Sequence, residues 1–145
     1  MKIHSHIHEL HTDEGIALYD LTKAIKNQLN NSSIKNGLVT ISSRHTTTAL
    51  TINEFESRLV DDVRQFLNRL VPPNEPYLHN DIHLRDCADD EPENAHSHIL
   101  AMLLSSSEVI PVLDSELQLG TWQSVILVEL DGPRQRQVTI QVIGE

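Results

Sequence analysis

Two strand-forming stretches flank Asp131-Gly132-Pro133, and they limit what this chain can become more than any other feature. Thr121 to Leu130 and Gln137 to Ile143 are rich in Val, Ile and Leu, and read as strands joined by that turn. Val109 to Val112 reads as another. Gly37 opens a strand from Leu38 to Ser42. Residues 2–10 alternate, with Ile3 and Ile7 on one face and His4, His6 and His8 on the other, as in a strand with one wetter face. Strands outnumber helices and cluster in the C-terminal half, which argues for an α+β fold with antiparallel sheets.

The helices have their own signals. Phe55, Leu59, Val63, Phe66, Leu67 and Leu70 recur at three- and four-residue spacing, and Pro72-Pro73 stops the helix they define. Thr51 and Glu54 fit a capping box before it. Asp20 can cap a short helix that buries Leu21, Ala24, Ile25 and Leu29, with Asn30 to Ser33 as loop. A last helix starts near Pro92 and turns Ala95, Ile99, Met102 and Leu103 inward. Residues 74–93 form a long polar loop, a feature that in small domains tends to be functional or mobile.

At 145 residues the chain suits a single domain, 1–145, with one core. Aromatics are only 3%, so that core must rely on Leu, Ile and Val. Acidic residues exceed basic ones by 21 to 11, and a net charge of -10 repels nucleic-acid backbones. A small phosphate-bearing substrate remains compatible where arginine or a metal reverses the local field. The single cysteine, Cys87, has no internal partner and suits a reducing compartment. The N-terminus lacks a signal-type apolar region, and no run is long enough to span a bilayer. The expected location is the cytoplasm, with no membrane or nucleic-acid partner.

Nine histidines are present. His4, His6, His8 and His11 sit at or near the first strand, where the reading is a solvated face. His45, His79, His83, His96 and His98 sit in or beside the middle loops. A catalytic zinc takes three protein ligands and keeps one position open. Three imidazoles from three elements can supply this; each taken alone is a hydrogen-bonded structural histidine. His96 and His98, on one helix, point about 200° apart and do not share a cation.

Glu54 can act as a general base or support a ligand histidine, or it can simply complete the capping box. Asp89 and Asp90 suit a helix start through the dipole alone. Arg85, Arg134 and Arg136 are candidates for phosphate, because a guanidinium grips its oxygens bidentately. For Arg134 and Arg136 a subunit contact is an equal alternative. Gly120-Thr121-Trp122-Gln123 offers a hydroxyl, a flat ring and an amide for a small heterocycle, against a core or interface role for the tryptophan.

Three segments together, Leu117 to Gln123 running on to Arg136, Ser43 to Leu50, and Asn94 to Ile99, resemble the YjbQ-type family of secondary thiamine-phosphate synthase enzymes. The resemblance runs from about Gly37 to the C-terminus. It implies a YjbQ-like antiparallel or mixed β-sandwich with two to three helices, assembled as a homotrimer. It selects His45, His79 and His98 as ligands of a divalent metal, zinc or alternatively magnesium. It adds Glu54 and Asp90 as catalytic residues, and Arg85, Thr121, Trp122, Gln123 and Arg134 as contacts to a small phosphorylated metabolite. Two positions depart from the pattern. Asn80 stands where members often carry aspartate, and Ser115 where many carry glycine. The implied reaction joins a hydroxymethylpyrimidine diphosphate to a thiazole phosphate and releases pyrophosphate. Metal-dependent hydrolysis of a small phosphoester, or non-catalytic binding of a metal or metabolite by a trimer, are the alternatives.

Overall fold

The computed structural model describes Met1–Glu145. In chain order the elements are β1 (Lys2–His11), β2 (Gly15–Asp20), α1 (Thr22–Ser32), β3 (Gly37–Ser43), β4 (Thr48–Asn53) and α2 (Ser57–Leu70), followed by α3 (Ala95–Leu103), β5 (Ser107–Leu113), β6 (Glu116–Leu117), β7 (Ser124–Gly132) and β8 (Gln135–Gly144). Two short 3-10 turns, Leu78–Asn80 and Ile82–Leu84, break the long loop. The strands form two antiparallel sheets, ordered β1-β8-β3-β5-β6 and β2-β7-β4. This is the α+β class with antiparallel sheets expected from the strand pattern, in the sandwich with two to three helices that the family resemblance implies.

β7 explains the layering. Every residue from Val125 to Leu130 is buried. Val125 and Leu127 pack with Val39, Ile41 and Ile140 of the larger sheet and Ile25 of α1. Ile126, Val128 and Leu130 pack with Leu67 of α2 and Leu100 of α3. A strand covered on both faces has no wet side to alternate with, so its sequence is a nearly unbroken apolar run. Each fully buried Leu, Ile or Val contributes about 1.5–3 kcal/mol. β7 and β8 follow one another through Asp131-Gly132-Pro133, yet they lie in different sheets, so this turn carries the chain from one layer to the other. Gly132 is required there because a Cβ would collide with the Asp13 carbonyl oxygen.

Several expectations are corrected. Four of the eight strands lie before residue 54, because β2 and β4, which flank β7, are short and carry weak signals. On β1 the faces are reversed. His4, His6 and His8 lie opposite Val142, Ile140 and Val138, whose side chains are buried, so the histidines share the inward face. His4 Nε2 lies 3.0 Å from Gln28 Oε1 on α1. Ile3 and Ile7 point outward and are 63% and 45% exposed. Alternation shows that two faces differ; at a sheet edge it does not say which is inside.

The cap of α2 is Glu56, whose carboxylate accepts from the N–H groups of Arg58 and Leu59 at 2.9 and 2.8 Å. Thr51 belongs to β4 instead. α1 continues through Asn30 to Ser32 and ends on Ser33 in a left-handed conformation. α3 buries Ala95, Ser97 and Leu100, leaving Met102 82% and Leu103 62% exposed. Ser97 faces inward because its hydroxyl donates to the Leu130 carbonyl at 2.6 Å, which docks the helix on the end of β7. No helix is long and apolar enough to cross a membrane.

Candidate functional site

At the end of the sandwich where β7 stops and β8 begins there is a polar cleft of about 560 Å³, with Arg44, His45, Asp90, His98, Arg134 and Arg136 among its walls. Its floor is a buried ion pair between the two sheets. Glu129 of β7 is fully buried and Arg136 of β8 is 3% exposed. Arg136 donates from Nε and Nη2 to the two carboxylate oxygens at 2.7 and 2.6 Å. The Thr12 hydroxyl and the Asp131 N–H also donate to Glu129, at 2.6 and 2.8 Å. Burial pushes the Glu129 carboxyl up, but these bonds more than offset it and hold it below the usual carboxylate range. Nη2 of Arg136 is further fixed by Thr47 Oγ1 at 2.8 Å. Nη1 has no protein partner, and it is not among the sealed, unpartnered polar atoms, whose one member is His96 Nδ1. A rigid guanidinium therefore presents free donors to the cleft.

The histidines arrive from three directions. Asn80, in the loop, accepts a bond from the Ala95 N–H at the start of α3 at 3.1 Å, so the loop itself caps the helix. That dock sets the His79 ring against His98, with centroids 4.8 Å apart and planes at 73°. Arg85 clamps the same loop by donating to the His79 carbonyl at 2.9 Å. His98 lines the cleft and two adjoining hollows, one shared with His45 and one with His79. Burial, then the neighbouring His79, pulls its pKa below the ordinary value, so His98 is neutral near pH 7. Burial and Arg136 do the same to His45.

The three predicted ligands do not form one metal-binding group within the chain. His79 and His98 stand ring against ring, with centroids 4.8 Å apart. His45 does not join them, as placed. Its Nε2 accepts from the Gln137 N–H at 2.8 Å, so the neutral ring carries its proton on Nδ1 and has no lone pair left for a cation.

The remaining candidates divide by location. Asp90 lies on the cleft rim and is exposed. Arg134 lines the cleft but is bound to Asp131 at 2.8 Å, and Asp131 also accepts from Asn94 at 2.7 Å. Glu54, Thr121, Trp122 and Gln123 stand at the other end of β7, where Ser124 pairs with Asn53. β7 has 9 residues, so its ends are roughly 26 Å apart at about 3.3 Å per residue. Gly120 and Gln123 bond to each other across a tight turn, and Trp122 is 74% exposed. Arg136, weighed from the sequence for phosphate or a subunit contact, forms the cleft floor with Glu129, which the sequence reading missed. A signal existed: Glu129 is the lone charge within an apolar run, and a buried carboxylate implies a buried partner.

The family described as UPF0047 protein YjbQ-like matches residues 6–145. A UPF0047 protein of Methanothermobacter thermautotrophicus is 39% identical over 145 residues, covering 100% of this chain and 95% of that one. The UPF0047 protein YjbQ of Escherichia coli O157:H7 is 37% identical over 111 residues, covering 75% of each. The crystal structure of a protein of unknown function from Sulfolobus solfataricus, described as YbjQ-like, superposes with a TM-score of 0.89 at 34% identity, covering 99% of both chains. One from Aeropyrum pernix K1 gives 0.88 at 34% identity, covering 97% and 98%.

Proposed function

This chain belongs to the UPF0047 YjbQ-like family, and we propose that its cleft acts on a small phosphorylated metabolite in a reaction of the thiamine-phosphate synthase type. The observation that carries this reading is the free Nη1 of Arg136, held rigid by Glu129 and Thr47 beside His98 and Arg44. Phosphate oxygens accept from Nη1, and the guanidinium moves little on binding because Glu129 has already fixed it. In the condensation, the thiazole nitrogen attacks the methylene carbon. The carbon–oxygen bond breaks, and its electron pair leaves with pyrophosphate. Arg136 and Arg44 stabilise the charge that builds on the departing oxygens. Neutral His98 has a single free lone pair at this pH, which suits it to hold a cation beside the phosphate.

A divalent cation, zinc or magnesium, belongs to the proposal at His79 and His98, with its remaining ligands drawn from outside the chain. The homotrimer belongs to it as well. A ring-stacking role for Trp122 requires a second copy, because a chain cannot fold its own Gly120–Gln123 turn back to its own cleft. Exposed Leu38, Val109 and Leu113 on the larger sheet suit such assembly.

Hydrolysis of a small phosphoester is the second reading. It is favoured by the same separation, since one substrate and water need no ring-binding wall. Purified chain incubated with both condensation substrates distinguishes the two. The first reading expects thiamine phosphate only when both are present, with at least a tenfold loss in His98→Ala. The second expects phosphate release from one substrate alone. Absence of both products overturns both. Elemental analysis of the same samples is expected to show metal lost in His98→Ala and kept in His45→Ala; the opposite pattern would move the cation to His45.

A further inference from the structure

At the Glu54 end of β7 a different space opens. α2 rides high over the smaller sheet, and of its 14 residues only Leu67 is buried. Between them lies a cavity of about 200 Å³. Leu59, Val60 and Val63 of α2 face Ile126 and Val128 of β7 across it, with Leu104 beside them. Its polar lining is confined to Thr51, Asn53 and Glu54, of which Asn53 and Glu54 are exposed and so mark the mouth. The Glu54 carboxylate accepts no hydrogen bond, and the three ion pairs of the chain are formed by Asp61, Glu129 and Asp131.

We propose that this cavity is a second binding site, for a small organic ammonium whose apolar body enters between α2 and the sheet. Size and charge both select that class. A dry apolar cavity of about 150 Å³ admits a benzene ring, so this one holds a six-membered ring with a short arm. Branched aliphatic walls give such a body shape contact without hydrogen bonds. An arm ending in a cation meets the unpaired Glu54 carboxylate at the mouth. The net charge of -10 adds a field that draws cations and repels carboxylates. The site shares no residue with the polar cleft of Arg136, and only Leu104 with the hollow beside His45 and His98; it stands whether or not that cleft is catalytic.

Titrating the full chain with benzylammonium, benzyl alcohol and benzoate, followed by amide shifts of Val63 and Ile126, tests the idea. The expected order is ammonium tightest, alcohol about threefold to fivefold weaker as for a partly exposed ion pair, and benzoate weakest. Glu54→Gln should make ammonium and alcohol equal while leaving the alcohol's affinity unchanged. Val63→Phe should abolish binding of both by filling the space. No saturable binding to the unmodified chain overturns the proposal, as does equal affinity for ammonium and alcohol or a preference that survives Glu54→Gln. The Glu54 substitution is on the surface, so the outcome does not depend on the core variant folding.

Discussion

The two ends of β7 are built on opposite principles. At the cleft end, charge is buried and the ion pair at the floor is satisfied on all sides except the one aimed at the cleft. Glu129 accepts from Arg136, Thr12 and the Asp131 backbone, and Ser97 and Asn94 dock α3 alongside. At the other end, Thr121, Trp122 and Gln123 hang in solvent on a turn held by its own Gly120–Gln123 bonds. Rigid polar groups suit recognition of a fixed charge, because their ordering cost is met during folding. An exposed tryptophan suits a surface that another body must complete.

Substitutions at the two ends should therefore differ sharply. Glu129→Ala leaves a buried guanidinium without its counter-charge and should cost about 3–5 kcal/mol in urea unfolding. A loss under about 1 kcal/mol would mean the floor is wet and relaxed. Asn80→Ala removes the bond that ties the loop to α3 and should cost about 1 kcal/mol. It should also raise the His98 pKa, since a released His79 no longer opposes protonation; ring-proton titration by NMR reads this directly. An unchanged His98 titration would show that the loop docks by other means.

Acid should weaken the cleft end next. His8, His45, His96 and His98 all have pKa values lowered on folding, with burial the first cause in each. Below their ordinary value of 6.5 the unfolded chain then binds more protons than the folded one. Stability is full above that pH and falls as pH drops through it toward the lowered folded values. Unfolding midpoints measured from about pH 7.5 to about pH 5.5 should decline; a flat profile would mean these rings are as wet folded as unfolded. The smallest effect is expected from Trp122→Ala, which should shift monomer stability by about 0.5 kcal/mol or less. A larger loss at higher protein concentration would place Trp122 in a contact between copies.

Much of the fold was legible because periodicity reports burial. Val125–Leu130 and the β3 and β8 runs bury what their patterns say they should, whereas the α2 stripe set the helix but buries only Leu67 and leaves Phe55, Phe66 and Leu70 exposed. The errors fall where local pattern lacks a reference. On β1 the alternation was visible but not its sense, since inside is defined by α1 and β8. α3 looked apolar at Met102 and Leu103, yet packs through Ser97 and Leu100, because its orientation is set by one hydroxyl reaching the end of β7. At the site, spacing chose none of the histidines; the family resemblance grouped His45, His79 and His98, and set Glu54 and Trp122 beside them. The strand between those groups is rigid and about 26 Å long, so one chain keeps them apart.

By itself, then, the amino-acid order determined the helices and the longer strands, the antiparallel α+β class and most of the residues rich enough in chemistry to matter. These follow from side-chain size, branching and spacing, which act over a few neighbouring positions. Only the tertiary structure decided which of those residues meet. Glu129 finds Arg136 across two sheets, and Asn80 brings His79 to His98, through contacts whose distance in space bears no fixed relation to distance along the chain.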